Sequence, residues 1–420
     1  MFQTIRNAFK IPELRKKLFF TLFVLLVFRF GCFLPVPWID TAVLAEVFRS
    51  DSTFGIMNII SGGTFEQAGV FAMGVSPYIN ASIIMQLLTV AIPALEKLAQ
   101  MGEEGRKKIA SITRYVTVAL GLIQAFGYYM ILCRYNAISA ADQTFFHAIV
   151  IITAYIAGTT LVMWLGEQVN THGIGNGVSM IIMAGIIARL PYAVRMMVSN
   201  FKWYSILVVA FALAMVVFIV LFNDAERRIP VMYKKRVVGR KMYGGQSTHI
   251  PLKVTMAGVI PIIFAMSILS FPTTLIQMFN ANPTGFWARI NSLFSQTSWF
   301  YAILYLLLIF AFSFFYTSIT FNPIEIANNL KTQGGVIPGI REGEPTSQYI
   351  QKKTNRVTFI GAVFISIVAA VPVMIGCIFN NFAGLGLGGS SVMIVVGVAL
   401  ETVRQIESQL VMRHYKGFLG

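Results

Sequence analysis

Apolar residues come in blocks long enough to cross the roughly 30 Å of a bilayer's hydrocarbon core. They cover Leu18–Val36, Met73–Leu95, Tyr115–Leu132, Phe145–Leu165, Trp203–Phe222, Val254–Phe279, Trp299–Phe321 and Val357–Phe379. Two shorter blocks, Val178–Leu190 and Val392–Leu400, follow glycine clusters and must borrow flanking residues to span. The pattern predicts an all-α, polytopic membrane protein with ten helices. The first block follows a basic stretch, but it is longer than a signal core and no small-residue cleavage site comes after it, so a retained helix is expected.

One short pattern occurs twice, half a chain apart. Gly74-Val75-Ser76-Pro77-Tyr78-Ile79 opens the second block, and Gly258-Val259-Ile260-Pro261-Ile262-Ile263 opens the seventh. The fifth and tenth blocks are likewise both preceded by alternating glycines, Gly173 to Gly177 and Gly384 to Gly389. Each feature alone reads as a loop and a helix start. Paired at corresponding places, they predict a duplication, residues 1–202 and 203–420. Five spans per half is an odd number, so the second half enters the membrane inverted, the arrangement in which Gly/Pro-interrupted segments mark the working site.

Composition and charge sharpen this picture. The chain is 56% hydrophobic and only 12% charged, with a mean hydropathy of +0.71, which excludes a soluble domain. Of its 33 basic residues, 26 fall on one side when ten spans are drawn. By the positive-inside rule that side is cytoplasmic, and it holds both termini. No Asp or Glu lies in the predicted spans, and the basic groups there are Arg29, His147 and Arg189. Ion-coupled transport needs ionisable groups within the bilayer, so a solute transporter is disfavoured. Intramembrane catalysis also lacks its residues, because there is no His-Glu-x-x-His and no paired carboxylates. Cys32, Cys133 and Cys377 lie far apart with no metal-ligand spacing and read as free apolar thiols.

Two cytoplasmic loops, 223–253 and 322–356, are long and basic. Charge alone leaves two readings open, contact with anionic lipid or docking of an acidic partner or ribosomal RNA.

Several runs then carry a resemblance: Pro77 to Ile84 (PYINASII), Met163 to Gln168 (MWLGEQ), Gly173 to Gly177 (GIGNG), Gln246 to Lys253 (QSTHIPLK) and Pro338 to Arg341 (PGIR). Over essentially its whole length the chain resembles the bacterial SecY family. The resemblance implies a protein-conducting channel of the bacterial plasma membrane, two five-helix halves forming a clamshell around a central pore, with no catalytic residue, cofactor or metal. It places a pore ring at Val75, Ile79, Val178, Ile182, Ile263 and Ile394, of which Val75/Ile79 and Val178/Ile182 are i,i+4 pairs on one helix face. Residues 54–71, including Phe54, Ile56, Met57, Ile59, Ile60, Ser61, Gly62 and Gly63, resemble a plug helix. Asn80, Gln86 and Phe271 fall at a lateral gate, with the two amides expected to contact neighbouring helices. Arg240, Lys241 and Arg341 match partner-docking positions. The partners implied are SecE, SecG, the SecA motor ATPase, the ribosome, signal sequences, nascent polypeptides and membrane lipids. The rivals are a solute transporter and an insertase scaffold without an aqueous pore.

Overall fold

The computed structural model describes residues 2–44, 63–199, 203–233, 236–238, 241–243, 247–279, 285–295, 298–378 and 389–416. Helix dominates them. In chain order the elements are α1 (Phe2–Lys10), α2 (Pro12–Cys32), α3 (Ser76–Ala91), α4 (Pro93–Gln100), α5 (Glu103–Arg134), α6 (Phe145–His172), α7 (Gly177–Ser199) and α8 (Trp203–Asp224). There follow β1 (Glu226–Tyr233), β2 (Arg236–Val238), β3 (Lys241–Tyr243), β4 (Ser247–Lys253), α9 (Ile260–Phe279) and α10 (Phe286–Leu293). The chain continues through α11 (Trp299–Thr320), α12 (Pro323–Thr332), β5 (Gly335–Val336), α13 (Glu344–Ile378) and α14 (Gly389–Lys416).

Each of the ten apolar blocks contains a helix, though several boundaries differ from those expected. Among the described residues, Glu103–Arg134, Phe145–His172, Trp299–Thr332 and Glu344–Ile375 are long and apolar enough to cross a membrane. The second block is shorter than predicted at both ends. Its first residues form turns, and Pro93 forces Ile92 into an extended conformation (φ −107°, ψ 113°) that stops α3. The chain bends there by 99° into α4, which has no buried residue. The two short blocks are extended by polar flanks, to Ser199 in α7 and to Lys416 in α14.

The chain is not all-α. β1 pairs antiparallel with β4 from Glu226↔Lys253 to Met232↔Ser247 and with β5 at Met232↔Val336, and β2 pairs with β3. In β1 the buried residues Ile229 and Val231 alternate with exposed neighbours, and they cluster with Leu252, Leu330, Ile337 and Ile350. The two long basic loops therefore share one three-stranded sheet, β4-β1-β5, with a core of its own, and β2 and β3 form a separate two-stranded sheet.

Helix packing repeats itself. α3 lies on α5, α5 on α6 and α6 on α7, while α2 touches both α6 and α7. In the second part α9 lies on α11, α11 on α13 and α13 on α14, while α8 touches both α13 and α14. The two sets meet where α9 contacts α3 and α5, and where α7 contacts α14. Hydroxyls inside this apolar bundle bond back to their own helix: Thr117 Oγ1 donates to the Thr113 carbonyl, and Thr317 Oγ1 to that of Ser313, each at 2.7 Å. The outer faces are apolar, with Leu213, Leu221, Ile303 and Leu307 all more than half exposed. Such a surface is stable against lipid tails and costly in water.

Candidate functional site

The two copies of the repeated pattern adopt one local structure. Gly74 and Gly258 have φ of +52° and +59°, and each helix begins two residues later. Neither site is crowded, so it is the left-handed backbone that calls for glycine. Glycine is required sterically elsewhere. A Cβ at Gly158 of α6 would sit 2.1 Å from the Val70 carbonyl oxygen, and one at Gly361 of α13 would sit 2.0 Å from that of Val254. Val70 and Val254 both lie four residues before the repeated glycine, so each copy is pressed against its long helix at the same point.

α7 starts under similar constraint. The Gly177 amide donates to Asn170 Oδ1 at 2.7 Å, and the Ser179 amide to Asn176 Oδ1 at 3.3 Å, which satisfies two of the orphan donors of a helix N-terminus. A Cβ at Gly177 would lie 1.9 Å from the Gly166 carbonyl oxygen. These contacts fix how α7 presents its first two turns.

From these three starts and that of α14 one constriction is assembled. Ile79, Ile182, Ile263 and Ile394 lie five residues after Gly74, Gly177, Gly258 and Gly389 respectively. Together they line a cavity of about 20 Å³, along with Ile186, Met266, Ser267 and Ser391. That volume holds about one water molecule. Ile79, Ile182 and Ile394 are each less than 5% exposed, and Ile263 is half-buried against the same cluster. Val75 and Val178 pack into this cluster as well but do not line the cavity. Val259, the counterpart of Val75, is buried beside them. Sequence reading passed over Val259, Ile186, Met266, Ser267 and Ser391. The repeat itself points to Val259, and Ile186 continues the four-residue step of Val178 and Ile182. Ser391 gives no periodic signal.

The expected gate residues flank the contact of α3 with α9. Asn80 and Gln86 are half-buried on α3, and Phe271 on α9 is 43% exposed. Gln86 Nε2 donates to Ser82 Oγ at 3.3 Å, one turn back on its own helix.

Of the plug segment, residues 54–62 (Phe54, Ile56, Met57, Ile59, Ile60, Ser61 and Gly62 among them) lie outside the described residues. Gly63 to Phe71 form turns and not helix. This stretch is held from several sides. The Val70 amide donates to the Leu34 carbonyl at 2.9 Å and the Val36 amide to that of Ala68 at 3.0 Å. Tyr128 Oη donates to the Phe65 carbonyl at 3.0 Å, and Arg189 of α7 pairs with Glu66 at 3.6 Å.

Arg240 also lies outside the described residues, and Lys241 is placed in β3 opposite Val238. Arg341 is exposed at a loop tip between Gly339 (φ +81°) and Gly343 (φ +94°). Its carbonyl accepts from Thr346 Oγ1 at 2.7 Å, so the loop is braced by the backbone. His147 has a structural place, its Nδ1 lying 2.9 Å from the Asp142 carbonyl oxygen and its ring 4.3 Å from that of Trp38. All three cysteines are free thiols.

The SecY family model matches residues 69–403. A protein translocase subunit SecY of Streptomyces coelicolor is 43% identical over 439 residues, covering 100% of both chains. That of Thermotoga maritima is 42% identical over 433 residues, covering 100% of this chain and 98% of the relative. Among solved structures, a protein-conducting channel aligns with a TM-score of 0.67 at 17% identity over 97% of each chain. The Sec61 channel of a canine ribosome–channel complex aligns with a TM-score of 0.63 at 16% identity, again over 97% of each.

Proposed function

The chain belongs to the SecY family, and we propose that it is the channel subunit of a protein translocase, carrying unfolded secretory polypeptides across a bacterial plasma membrane and releasing membrane segments sideways into lipid. It is a channel and not an enzyme. The observation that carries this reading is the convergence of four isoleucines, each five residues after a glycine, on one small cavity. A narrow aliphatic constriction offers nothing to replace an ion's hydration shell, so it stays dry and resists ions. A polypeptide of any sequence is encircled by such a ring without being bound at particular residues.

The ten helices α2, α3, α5, α6, α7, α8, α9, α11, α13 and α14 are the ten spans, as two inverted five-helix halves, residues 1–202 and 203–420, closed like a clamshell. Support comes from the repeated packing pattern and from the sorting of basic residues, which puts both termini in the cytoplasm. Val75, Ile79, Val178, Ile182, Ile263 and Ile394 form the pore ring. Residues 54–71 form the plug, and Asn80, Gln86 and Phe271 line the lateral gate. Arg240, Lys241 and Arg341 dock a motor ATPase of the SecA type or a ribosome, and SecE and SecG complete the complex. The chain itself carries no machinery for coupling to an ion gradient, so its energy comes from the partner at the cytoplasmic sheet.

Conductance across planar bilayers tests this. The reconstituted complex is expected to be silent, and Ile79→Gly with Ile182→Gly, or deletion of residues 54–65, to pass large ion currents. Folded, inserted variants that all stay silent would overturn the pore in favour of a scaffold.

A further inference from the structure

Arg189 is the one cation in the apolar block Val178–Leu190, and its place on α7 is not arbitrary. Val178, Ile182, Ile186 and Arg189 follow at steps of four, four and three, which is one face of a helix. Ile182 and Ile186 on that face line the constriction. Arg189 lies seven residues beyond Ile182, roughly 10 Å along the axis at 1.5 Å per residue. With Gly177 at the cytoplasmic end of α7, Arg189 stands on the outer side of the constriction.

Its carboxylate partner comes from the turns that precede α3. Arg189 Nη2 is 3.6 Å from Glu66 Oε2, and both side chains are 28% exposed. Its Nε also lies over Gly63, 3.4 Å from where a Cβ would stand. Other ties of this segment run to Leu34 and Val36 after α2, to Tyr128 of α5 and, by close approach of Val70, to Gly158 of α6. The ion pair joins the segment to a helix that lines the constriction.

We propose that Glu66 and Arg189 form a charge latch, holding Gly63–Phe71 against the pore-facing stripe of α7 and keeping that stripe's terminal cation neutral while the channel is shut. The inference rests on the channel reading above. When the pair separates, the two fixed charges no longer cancel at one point of the outer wall, where a low-dielectric surround strengthens their effect on passing ions. The pair thus has two consequences, a mechanical one for the resting state and an electrical one for the open state.

The test uses the reconstituted complex in planar bilayers under a KCl gradient. Glu66→Gln and Arg189→Gln are each expected to raise resting conductance roughly threefold to tenfold, the range between exposed and buried pairs. The double reversal Glu66→Arg with Arg189→Glu is expected to restore silence. In the conducting Ile79→Gly/Ile182→Gly background, Glu66→Gln is expected to shift the reversal potential towards anions and Arg189→Gln towards cations. A purely structural role would move both the same way. Resting conductance that stays at the parent level, or reversal potentials that shift in one direction or not at all, would overturn the latch while leaving the channel reading intact. A silent ring background would instead remove the channel reading, and the latch with it.

Discussion

At the scale of single residues, the structure separates two uses of glycine that look alike in sequence. Gly74 and Gly258 are needed for their backbone angle, whereas Gly158 and Gly361 are needed because a carbonyl oxygen occupies the space of a Cβ. The first pair was legible, since it stands in a repeated Gly-Val-x-Pro-x-Ile pattern. The second was not, because a glycine in an apolar helix says nothing of what approaches it. Gly158→Ala and Gly361→Ala are each expected to destabilise the protein by about 1–3 kcal/mol, the usual cost of overpacking. Gly121 in α5 has no atom within 4 Å of a built Cβ. Gly121→Ala should therefore be neutral or stabilise by up to about 1 kcal/mol through helix propensity. Thermal unfolding of the detergent-solubilised complex would show two losses of similar size and one small gain. Unequal losses at Gly158 and Gly361 would mean that the two copies are not under the same constraint. The Glu66–Arg189 pair shows the opposite limit of sequence reading: Arg189 stands out in an apolar block, but its meeting with Glu66 depends on a long-range fold.

Among elements, the helices were legible because the apolar blocks are long, and their ends were not, because those are set by local breakers. Pro93 ends α3 where hydrophobicity alone runs on to Leu95. The three-stranded sheet was missed as a unit, although Ile229 and Val231 carry the alternation of a half-buried strand. Charge dominated the reading of that loop, and β5, two residues long, lies a hundred residues further on. The sheet's core has its own contacts, separate from the bundle's. Leu252 is fully buried in it, so Leu252→Ala is expected to cost about 2–5 kcal/mol locally. Hydrogen exchange should show faster opening of β1 and β4 while the isoleucine constriction stays protected. Loss of protection at α3 and α9 as well would show that the sheet and the bundle unfold as one.

For the whole molecule, polar chemistry sits at the two faces and the middle is left to hydrocarbon. Arg341 uses only its backbone to hold its loop, so its guanidinium is available to a partner. Arg341→Glu is expected to leave thermal stability within about 0.5 kcal/mol, as for an exposed site, and to slow motor-driven translocation into inverted vesicles about tenfold. Undiminished translocation would place docking elsewhere on the sheet. The matching Gly+5 positions of the four isoleucines have a different consequence. In the inverted-repeat arrangement proposed above, two come from each half, and the narrowest point falls where the two-fold relation maps it onto itself. A valve seated on such an axis has no preferred direction of flow: a chain entering from either face meets equivalent side chains, Ile79 and Ile182 from one side corresponding to Ile263 and Ile394 from the other. One-way travel must then come from whatever breaks the equivalence, and the two halves differ in having the Gly63–Phe71 turns in the first and the sheet in the second. Transport by this protein is vectorial through its ends, while its waist is neutral as to which way the cargo goes.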